Sequence, residues 1–201
     1  MERMNQLAGL GSAQRSIKIF SYVVDHDEGR EPNPYFSLCT LCRCKFSKKA
    51  EATQGRNGGK NIVELAREGD WVIGTGGASK KSAGHGKLVY AMLVDERPTR
   101  WEYFARFKEK KPERPHGEFQ KHEQFALVSR HFYYFGANAI DIPERFKHFQ
   151  KKGPGFRYVD PVQFRSFLEW LTKKAEPGKH GEPCWKVVDK PKAGETCKSS
   201  Y

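Results

Sequence analysis

A short apolar segment between two glycine-containing turns constrains the fold of this chain more than any other stretch. Trp71-Val72-Ile73 follows Gly69-Asp70 and runs into Gly74-Thr75-Gly76-Gly77. A Gly-Asp pair is typical of a turn, and a short apolar run between turn signals predicts a buried strand. A helix-like segment at 61–67 precedes it and a second apolar run at 87–94 follows it. The region is therefore predicted to form helix, turn, strand, glycine loop and strand.

The loop between the two predicted strands carries glycines and lysines. It has no G-x-x-x-x-G-K-[ST] pattern, and it does not open a long helix, so neither a P-loop nor a dinucleotide fingerprint is supported. An amide-rich loop with lysines is suited to binding an anion. Residues 151–157 form a second basic glycine segment, for which the alternative is a plain connector. The phosphate-binding candidates are Lys80, Lys81, Lys87, Lys152 and Arg157.

The charge of the chain indicates a polyanionic partner. Its 201 residues carry a formal net charge of +12. Such a balance favours nucleic acid or a nucleotide as ligand, although lysines placed in tails and loops for solubility would give the same total. No apolar run is long enough to cross a bilayer, and the first residues lack a signal-peptide pattern. We therefore expect a cytoplasmic protein with no membrane partner.

Three of the five cysteines lie close together, at Cys39, Cys42 and Cys44. Structural zinc requires four ligands, usually in two pairs, and no second Cys-x-x-Cys pair is present. Cys39 and Cys44 are therefore weak metal candidates, and buried thiols on a short strand are the favoured interpretation. We expect no metal and no cofactor.

An acid-imidazole-acid turn, Asp25-His26-Asp27, ends the first predicted strand at 17–24. Such a turn can bind a cation or supply a general acid and base. The alternative is a polar turn in which Asp and Gly supply backbone conformation. If the protein is an enzyme, these three residues are the catalytic candidates, with Cys39 or Cys44 as a further possible nucleophile.

Aromatic and polar residues on the predicted strands and their ends are candidates for holding a base. Aromatic rings stack on bases and polar edges read their hydrogen bonds, but aromatic residues also fill cores. The candidates are Tyr22, Asn33, Tyr35, Trp71, Gly74, Thr75, Gly76, His131 and Tyr133.

Short strands without alternating helices predict an α+β fold, with a small mixed or antiparallel β-barrel and two to four flanking helices. Asn61 and Thr99 are predicted to cap helices, and Asp160-Pro161 to open the clearest helix, at 162–173. The predicted organisation is a mobile tail at 1–16, one domain at 17–175, and a basic, poorly packed tail at 176–201.

Several segments, taken in chain order, resemble the second family of nucleotide modification associated domains, found in phages and bacteria. The likeness extends over residues 18–173. Its matching segments read Tyr22-Val23-Val24-Asp25-His26-Asp27-Glu28-Gly29, Pro32-Asn33-Pro34-Tyr35, Cys39-Thr40-Leu41 with Cys44-Lys45, Gly69-Asp70-Trp71-Val72-Ile73-Gly74-Thr75-Gly76, Leu88-Val89-Tyr90-Ala91-Met92, His131-Phe132-Tyr133-Tyr134-Phe135-Gly136 and the loop at 153–157 before the last helix. The resemblance implies a link to DNA base modification. The strand, glycine loop and strand also resemble PUA, ASCH, EVE and YTH domains, which bind RNA or modified bases.

These observations favour a module that recognises a nucleotide or modified base, in a pocket near residues 69–77. The first alternative is an enzyme of base or nucleotide modification that uses the Asp25-His26-Asp27 turn. The second is a phage–host protein interaction module. A DNA-modifying enzyme is a possible protein partner.

Overall fold

A computed structural model describes residues 15–29, 31–35, 37–42, 61–107, 124–151, 153 and 155–184. Three α-helices lie in this part of the chain: α1 (Ile62–Leu65), α2 (Arg100–Arg106) and α3 (Pro161–Thr172). Two 3-10 helices span Gly136–Asn138 and Glu144–Phe149. The strands are β1 (Ile19–Val24), β2 (Asn33–Tyr35), β3 (Leu38–Leu41), β4 (Trp71–Gly76), β5 (Lys87–Leu93), β6 (Leu127–Ser129), β7 (Phe132–Tyr134), β8 (Ile140–Asp141), β9 (Phe156–Val159) and β10 (Gly178–Lys179).

The strands form two mixed or antiparallel sheets. The large sheet has seven strands in the order β10-β7-β5-β4-β1-β9, with β8 paired to β5, and the small sheet has the order β2-β3-β6. β1 and β4 are parallel neighbours in the interior of the large sheet. The α+β class with two to four helices is confirmed. The barrel is not, because no pairing among the described residues joins β9 to β10.

The large sheet is covered on both faces. On one face lies the small-sheet core, where Phe20 and Tyr22 of the large sheet pack with Leu41 of β3 and Ile62 of α1. On the other face lies the helix core, which contains Ile19 and Trp71 together with the apolar side of α3 and the second 3-10 helix. Neighbouring residues of β1 thus enter different cores, as expected for a strand whose side chains alternate.

The helices begin at the predicted caps. Asn61 Oδ1 accepts from Glu64 N at 2.9 Å, and Thr99 forms a capping box with Glu102. Asp160 Oδ1 accepts from the amides at positions 162 and 163, both at 3.0 Å, with proline at the first helical position. None of the described helices combines the length and the apolar character needed to cross a membrane.

The aspartate of the Gly-Asp-Trp motif fastens the amino ends of β1 and β4 together. Asp70 Oδ1 accepts from Lys18 N and from Arg15 Nη2, both at 2.8 Å. Asp70 Oδ2 accepts from Arg67 N at 2.9 Å and from Arg15 Nη1 at 3.2 Å. The carboxylate is buried. Each carboxylate oxygen therefore accepts two hydrogen bonds. The aspartate of the Gly-Asp-Trp motif has a structural role. Arg15, which the sequence placed in a mobile tail, is fixed by this contact.

The segment at 178–184, which we name the C-terminal strap, packs on the large sheet. Gly178 and Lys179 pair with β7 in parallel, and His180 N donates to Tyr134 O at 2.7 Å. Pro183 and Cys184 are buried. The prediction of a poorly packed tail from residue 176 is therefore wrong for the strap. The strap is held by backbone hydrogen bonds, which leave no apolar pattern in the sequence. Residues 185–201 lie outside the described residues.

Replacing Asp70 with alanine is expected to lower the free energy of unfolding by about 2–4 kcal/mol, because two backbone donors and an arginine lose their buried acceptor. Urea unfolding followed by circular dichroism measures the change. Glu144→Ala is the control, since Glu144 is exposed and forms a surface pair with Lys147. Equal stability of the two variants would contradict the structural role of Asp70.

Candidate functional site

Three segments meet at the carboxyl ends of β1 and β4, a region we name the carboxyl edge. The turn at 25–29 leaves β1 and the loop at 77–86 leaves β4, and the last paired residues are Val24 and Gly76. Phe156 of β9 pairs with Tyr22 in antiparallel register, so β9 begins at the same edge, and Gln150 lies there as well. Carboxyl ends of parallel strands are frequent ligand sites in open sheets.

A serine in the loop joins the two strand ends. Ser82 Oγ donates to Val24 O at 2.5 Å and accepts from Gly77 N at 2.7 Å. Thr75 Oγ1 adds a bond to Tyr22 O at 3.2 Å. These side-chain contacts continue the β1–β4 connection beyond the last strand residues.

The acidic turn and the lysine loop are in direct contact. Asp27 N donates to Lys81 O at 3.1 Å, and Ser79 N donates to Asp25 Oδ1 at 3.3 Å. A Cβ atom on Gly77 would lie 2.6 Å from Asp25 Oδ1. Glycine at this position therefore allows a close approach between the loop and the turn. The two segments that the sequence singled out separately form one surface.

Gln150 bonds to the lysine loop at the carboxyl edge. Its Oε1 accepts from Gly86 N at 3.1 Å, and its Nε2 donates to Gly76 O at 3.0 Å and lies 3.1 Å from His85 Nδ1. One amide thus holds both ends of the 77–86 loop, and the chain continues directly into Lys151. Sequence reasoning missed Gln150, because a lone glutamine carries no motif and its partners lie more than 60 positions earlier.

The three residues of the Asp25-His26-Asp27 turn do not face one way. His26 Nδ1 lies 3.7 Å from Asp25 Oδ2, with side chains 59% and 42% exposed. Asp27 is fully buried and points into the protein. Tyr134 Oη donates to both its oxygens, at 2.7 and 2.8 Å. The structure therefore presents one exposed acid–imidazole pair and one separate buried carboxyl group.

The surroundings of Asp27 change several pKa values. Burial raises the pKa of Asp27, and hydrogen bonds from Tyr134, Cys184 and Gly29 oppose that rise. Burial, together with the nearby charge of Asp27, raises the pKa of Cys184 to about 12. The same two causes raise the pKa of Tyr134. Within the described residues Asp27 is held by neutral donors, so its negative charge is poorly compensated.

The cysteines are poor candidates for nucleophiles in this environment. Burial raises the pKa of Cys39 far above that of a free thiol, and the thiolate is the reactive form. Cys44 lies outside the described residues. In the part of the chain that the structure describes, no group of three or more His, Cys, Asp or Glu side chains is placed to hold a metal.

The predicted base-binding aromatics lie in two different cores. Tyr22 packs in the small-sheet core, where Tyr90 Oη donates to Tyr22 Oη at 2.8 Å. Trp71 and Tyr133 are buried in the helix core, and His131 contacts both rings edge-on. The large sheet separates the two groups, so these side chains do not line one cavity.

The other predicted binding residues, on β2 and β4, are buried or half-buried. Gly74, Thr75 and Gly76 are buried in β4, and Asn33 is buried in β2 beside the half-buried Tyr35. A Cβ on Gly74 would lie 2.2 Å from the Tyr90 ring, so this glycine serves packing.

Of the phosphate candidates, Lys80 and Lys81 are exposed at the carboxyl edge. Lys87 forms an ion pair with Asp141 at 3.2 Å, and the Arg157 guanidinium donates to His148 O. Lys152 lies outside the described residues.

The buried carboxyl group gives a testable pH dependence of stability. A raised pKa means that the folded protein holds the Asp27 proton more tightly than the unfolded chain does. Asp27 therefore contributes stability that is present below the ordinary Asp pKa of 3.8 and is lost as the pH rises through the folded pKa. Asp27→Asn has no such ionisation. Its free energy of unfolding, minus that of wild type, should increase with pH from about pH 4 and then level off.

Urea unfolding at stepwise pH values measures this difference. Asp25→Asn, in the same turn but exposed, controls for the loss of one carboxylate. A difference between Asp27→Asn and wild type that stays flat or falls with pH would contradict an uncompensated buried charge at Asp27.

Comparison with known proteins assigns the chain to a family. Neither the search of curated proteins nor the search of solved structures returned a match. The profile of the family described as nucleotide modification associated domain 2 matches residues 16–124 and 116–190. These matches include the turn, the loop and the strap described above. The chain therefore belongs to the nucleotide modification associated domain 2 family.

Proposed function

We propose that the carboxyl edge binds the phosphates of a nucleotide or nucleic acid, and that the protein is a recognition module in base modification. The observation that carries the proposal is that Gln150 bonds both ends of the 77–86 loop, on which Lys80 and Lys81 are exposed at the carboxyl edge. The family's association with nucleotide modification supports a ligand of this class.

The charges at the carboxyl edge fit a phosphate ligand. Lys80 and Lys81 are exposed on the loop, and Lys151 follows the Gln150 clamp. The Asp25 carboxylate accepts from Ser79 N of the loop and lies 3.7 Å from His26 Nδ1. Lysine ammonium groups bind phosphates as mobile point charges, so an ordered loop backbone with exposed lysines is a suitable arrangement.

The exposed Asp25–His26 pair supplies the polar groups for reading a base. A carboxylate accepts from an exocyclic amino group, and an imidazole donates or accepts according to its protonation. Stacking on Tyr22, Trp71 or Tyr133 forms no part of this proposal, because all three rings are buried. A PUA-like barrel stays a prediction, and the proposed binding does not depend on a closed barrel.

An enzyme of base or nucleotide modification is the second candidate. The observation that favours it is the buried Asp27 carboxyl group with raised pKa, one residue from an exposed imidazole. A phage–host interaction module and a DNA-modifying enzyme as partner remain predictions from the sequence, as do a phage or bacterial setting and the cytoplasm as location.

The binding proposal is tested with the double variant Lys80→Ala/Lys81→Ala. We expect roughly tenfold weaker binding to a fluorescein-labelled single-stranded 20-mer DNA at low salt, because two phosphate contacts are lost. The slope of log affinity against log salt should become shallower by about 1.4. Fluorescence anisotropy across a salt series measures both quantities.

Lys173→Ala/Lys174→Ala is the matched control, because it removes the same charge from an exposed pair at the end of α3. Equal loss of affinity in both double variants would show that only the total charge matters. It would reject the carboxyl edge as the phosphate-binding site. No binding by wild type at low salt would reject the binding function altogether.

The enzyme alternative has its own readout. Plain and modified DNA are incubated with wild type and with His26→Ala, digested to nucleosides and analysed by mass spectrometry. A mass change produced by wild type and lost in His26→Ala would favour catalysis. Retained DNA binding by His26→Ala with no mass change in either sample would favour a recognition module.

A further inference from the structure

The C-terminal strap contacts the sheet and the acidic turn through its backbone. Ala137 N donates to Glu182 O at 2.8 Å, and Asn138 Nδ2 donates to His180 O at 2.8 Å. The His180 ring stacks on Phe135, with centroids 5.2 Å apart. Most of these contacts are hydrogen bonds near the surface, which open more readily than a buried apolar core. Release of the strap also requires opening the buried contacts of Pro183 and Cys184.

The glycines under the strap show how closely it fits. A Cβ on Gly136 would lie 2.2 Å from Glu182 O, and a Cβ on Gly181 would lie 2.0 Å from Phe135 O. A Cβ on Gly29 would lie 2.4 Å from Pro183 Cγ. Side chains at these positions are incompatible with the docked strap, because real Cβ atoms do not approach other atoms this closely.

Asp27 connects the strap to the lysine loop. Its carboxylate accepts from Cys184 N at 3.2 Å, and the Cys184 thiol also contacts it. Its backbone amide donates to Lys81 O at 3.1 Å. One buried residue is thus bonded on one side to the strap and on the other side to the loop that carries Lys80. No part of Asp27 is exposed, so it does not touch a ligand in this conformation.

We infer that Asp27 is a positioning residue, through which docking of the C-terminal strap orders the lysine loop and strengthens phosphate binding at the carboxyl edge. This inference rests on the proposed function. With the strap docked, the turn at 25–29 is held by Cys184 and Pro183, and the carbonyl of Lys81 has a fixed donor. With the strap released, the turn loses both contacts and holds the loop at Lys81 less firmly, so residues 79–81 must be ordered when ligand binds, while Ser82 and Gln150 still hold the rest of the loop. That ordering lowers affinity.

The coupling must act equally in both directions. If strap docking raises the affinity for a polyphosphate by some factor, then bound polyphosphate favours the docked strap by the same factor. Factors of about five or more are typical of coupled sites. Each direction of the coupling is measured separately. DNA affinity reports the effect of the strap on binding, and hydrogen exchange of the strap amides reports the effect of DNA on the strap.

The first experiment uses the wild-type full chain. Amide hydrogen exchange at His180 and Cys184 is followed with and without a saturating single-stranded 20-mer DNA at low salt. We expect DNA to slow exchange at both amides by about fivefold. Unchanged exchange at these amides in the saturated protein would overturn the inference, and the binding function would stand.

The second experiment releases the strap without changing Asp27 or any lysine. Gly181→Val places a side chain against Phe135 O and should speed exchange at the His180 and Cys184 amides. Ser166→Val, at an exposed position of α3, is the neutral control. We expect about fivefold weaker DNA binding for Gly181→Val and wild-type affinity for Ser166→Val. Wild-type affinity in Gly181→Val, with strap amides exchanging faster, would overturn the inference.

Replacing Asp27 itself separates positioning from simple structural support. Asp27→Asn keeps one side-chain acceptor for Cys184 N, whereas Asp27→Ala has none. We expect Asp27→Asn to restore strap protection and DNA affinity relative to Asp27→Ala at equal folded fraction. Equal affinity of the two folded variants would show that the contact to Cys184 does not position the loop. Failure of wild type to bind DNA would instead reject the proposed function.

Discussion

Asp70 holds β1 and β4 side by side at their amino ends, and the rest of the molecule follows from that parallel pair. Its carboxylate accepts hydrogen bonds from the backbone of Lys18 and Arg67, and from the Arg15 guanidinium. Once the two strands start in register, their ends coincide at Val24 and Gly76. The turn after one and the loop after the other then have to meet. The candidate site is therefore a geometric consequence of an acid placed at the far end of the same strands.

At the carboxyl edge, the side chains that face solvent differ in kind from those that face the interior. Toward solvent, the edge presents Asp25, His26, Lys80 and Lys81, all partly or largely exposed. Toward the interior, Asp27 and Tyr134 form a buried polar pair beneath the strap. Burying an ionised carboxylate among neutral donors costs free energy unless the group is protonated. Asp27 is bonded both to Lys81 O of the loop and to Cys184 N of the strap. It therefore connects two segments, which a simple polar turn would not do.

Much of the local architecture follows from the sequence, because local signals act over a few residues. The strands at Trp71 and Leu88 and the caps at Asn61, Thr99 and Asp160 depend on turn chemistry, alternation and capping. The binding surface is harder to predict. Asp25 and Lys80 belong to predicted segments, but Gln150 contributes through contacts far away in the chain. Short-range patterns do not encode such contacts.

Two features of the large sheet do not follow from the sequence, each for a specific physical reason. Val89 and Tyr90 are consecutive, yet both enter the small-sheet core, because the β4–β5 register shifts between Gly74 and Thr75. Strict alternation would place one of them on the opposite face. The second feature concerns the base-binding candidates Tyr22 and Trp71, which are both aromatic and lie on paired strands but on opposite faces of the sheet. Residue type suggested a shared site, and only the strand register shows that they are separated.

The carboxyl edge also divides into fixed and variable parts. Gly76 and Gly77 are enclosed, since a side chain on either would collide with Gly84 O or with Asp25. Ser82 and Gln150 tie the loop to the strand ends. Between these fixed points, residues 78–81 face outward and carry no part of the β1–β4 pairing. Substitutions within residues 78–81 can therefore change the exposed charge of the carboxyl edge without disturbing the contacts that fix the ends of the loop.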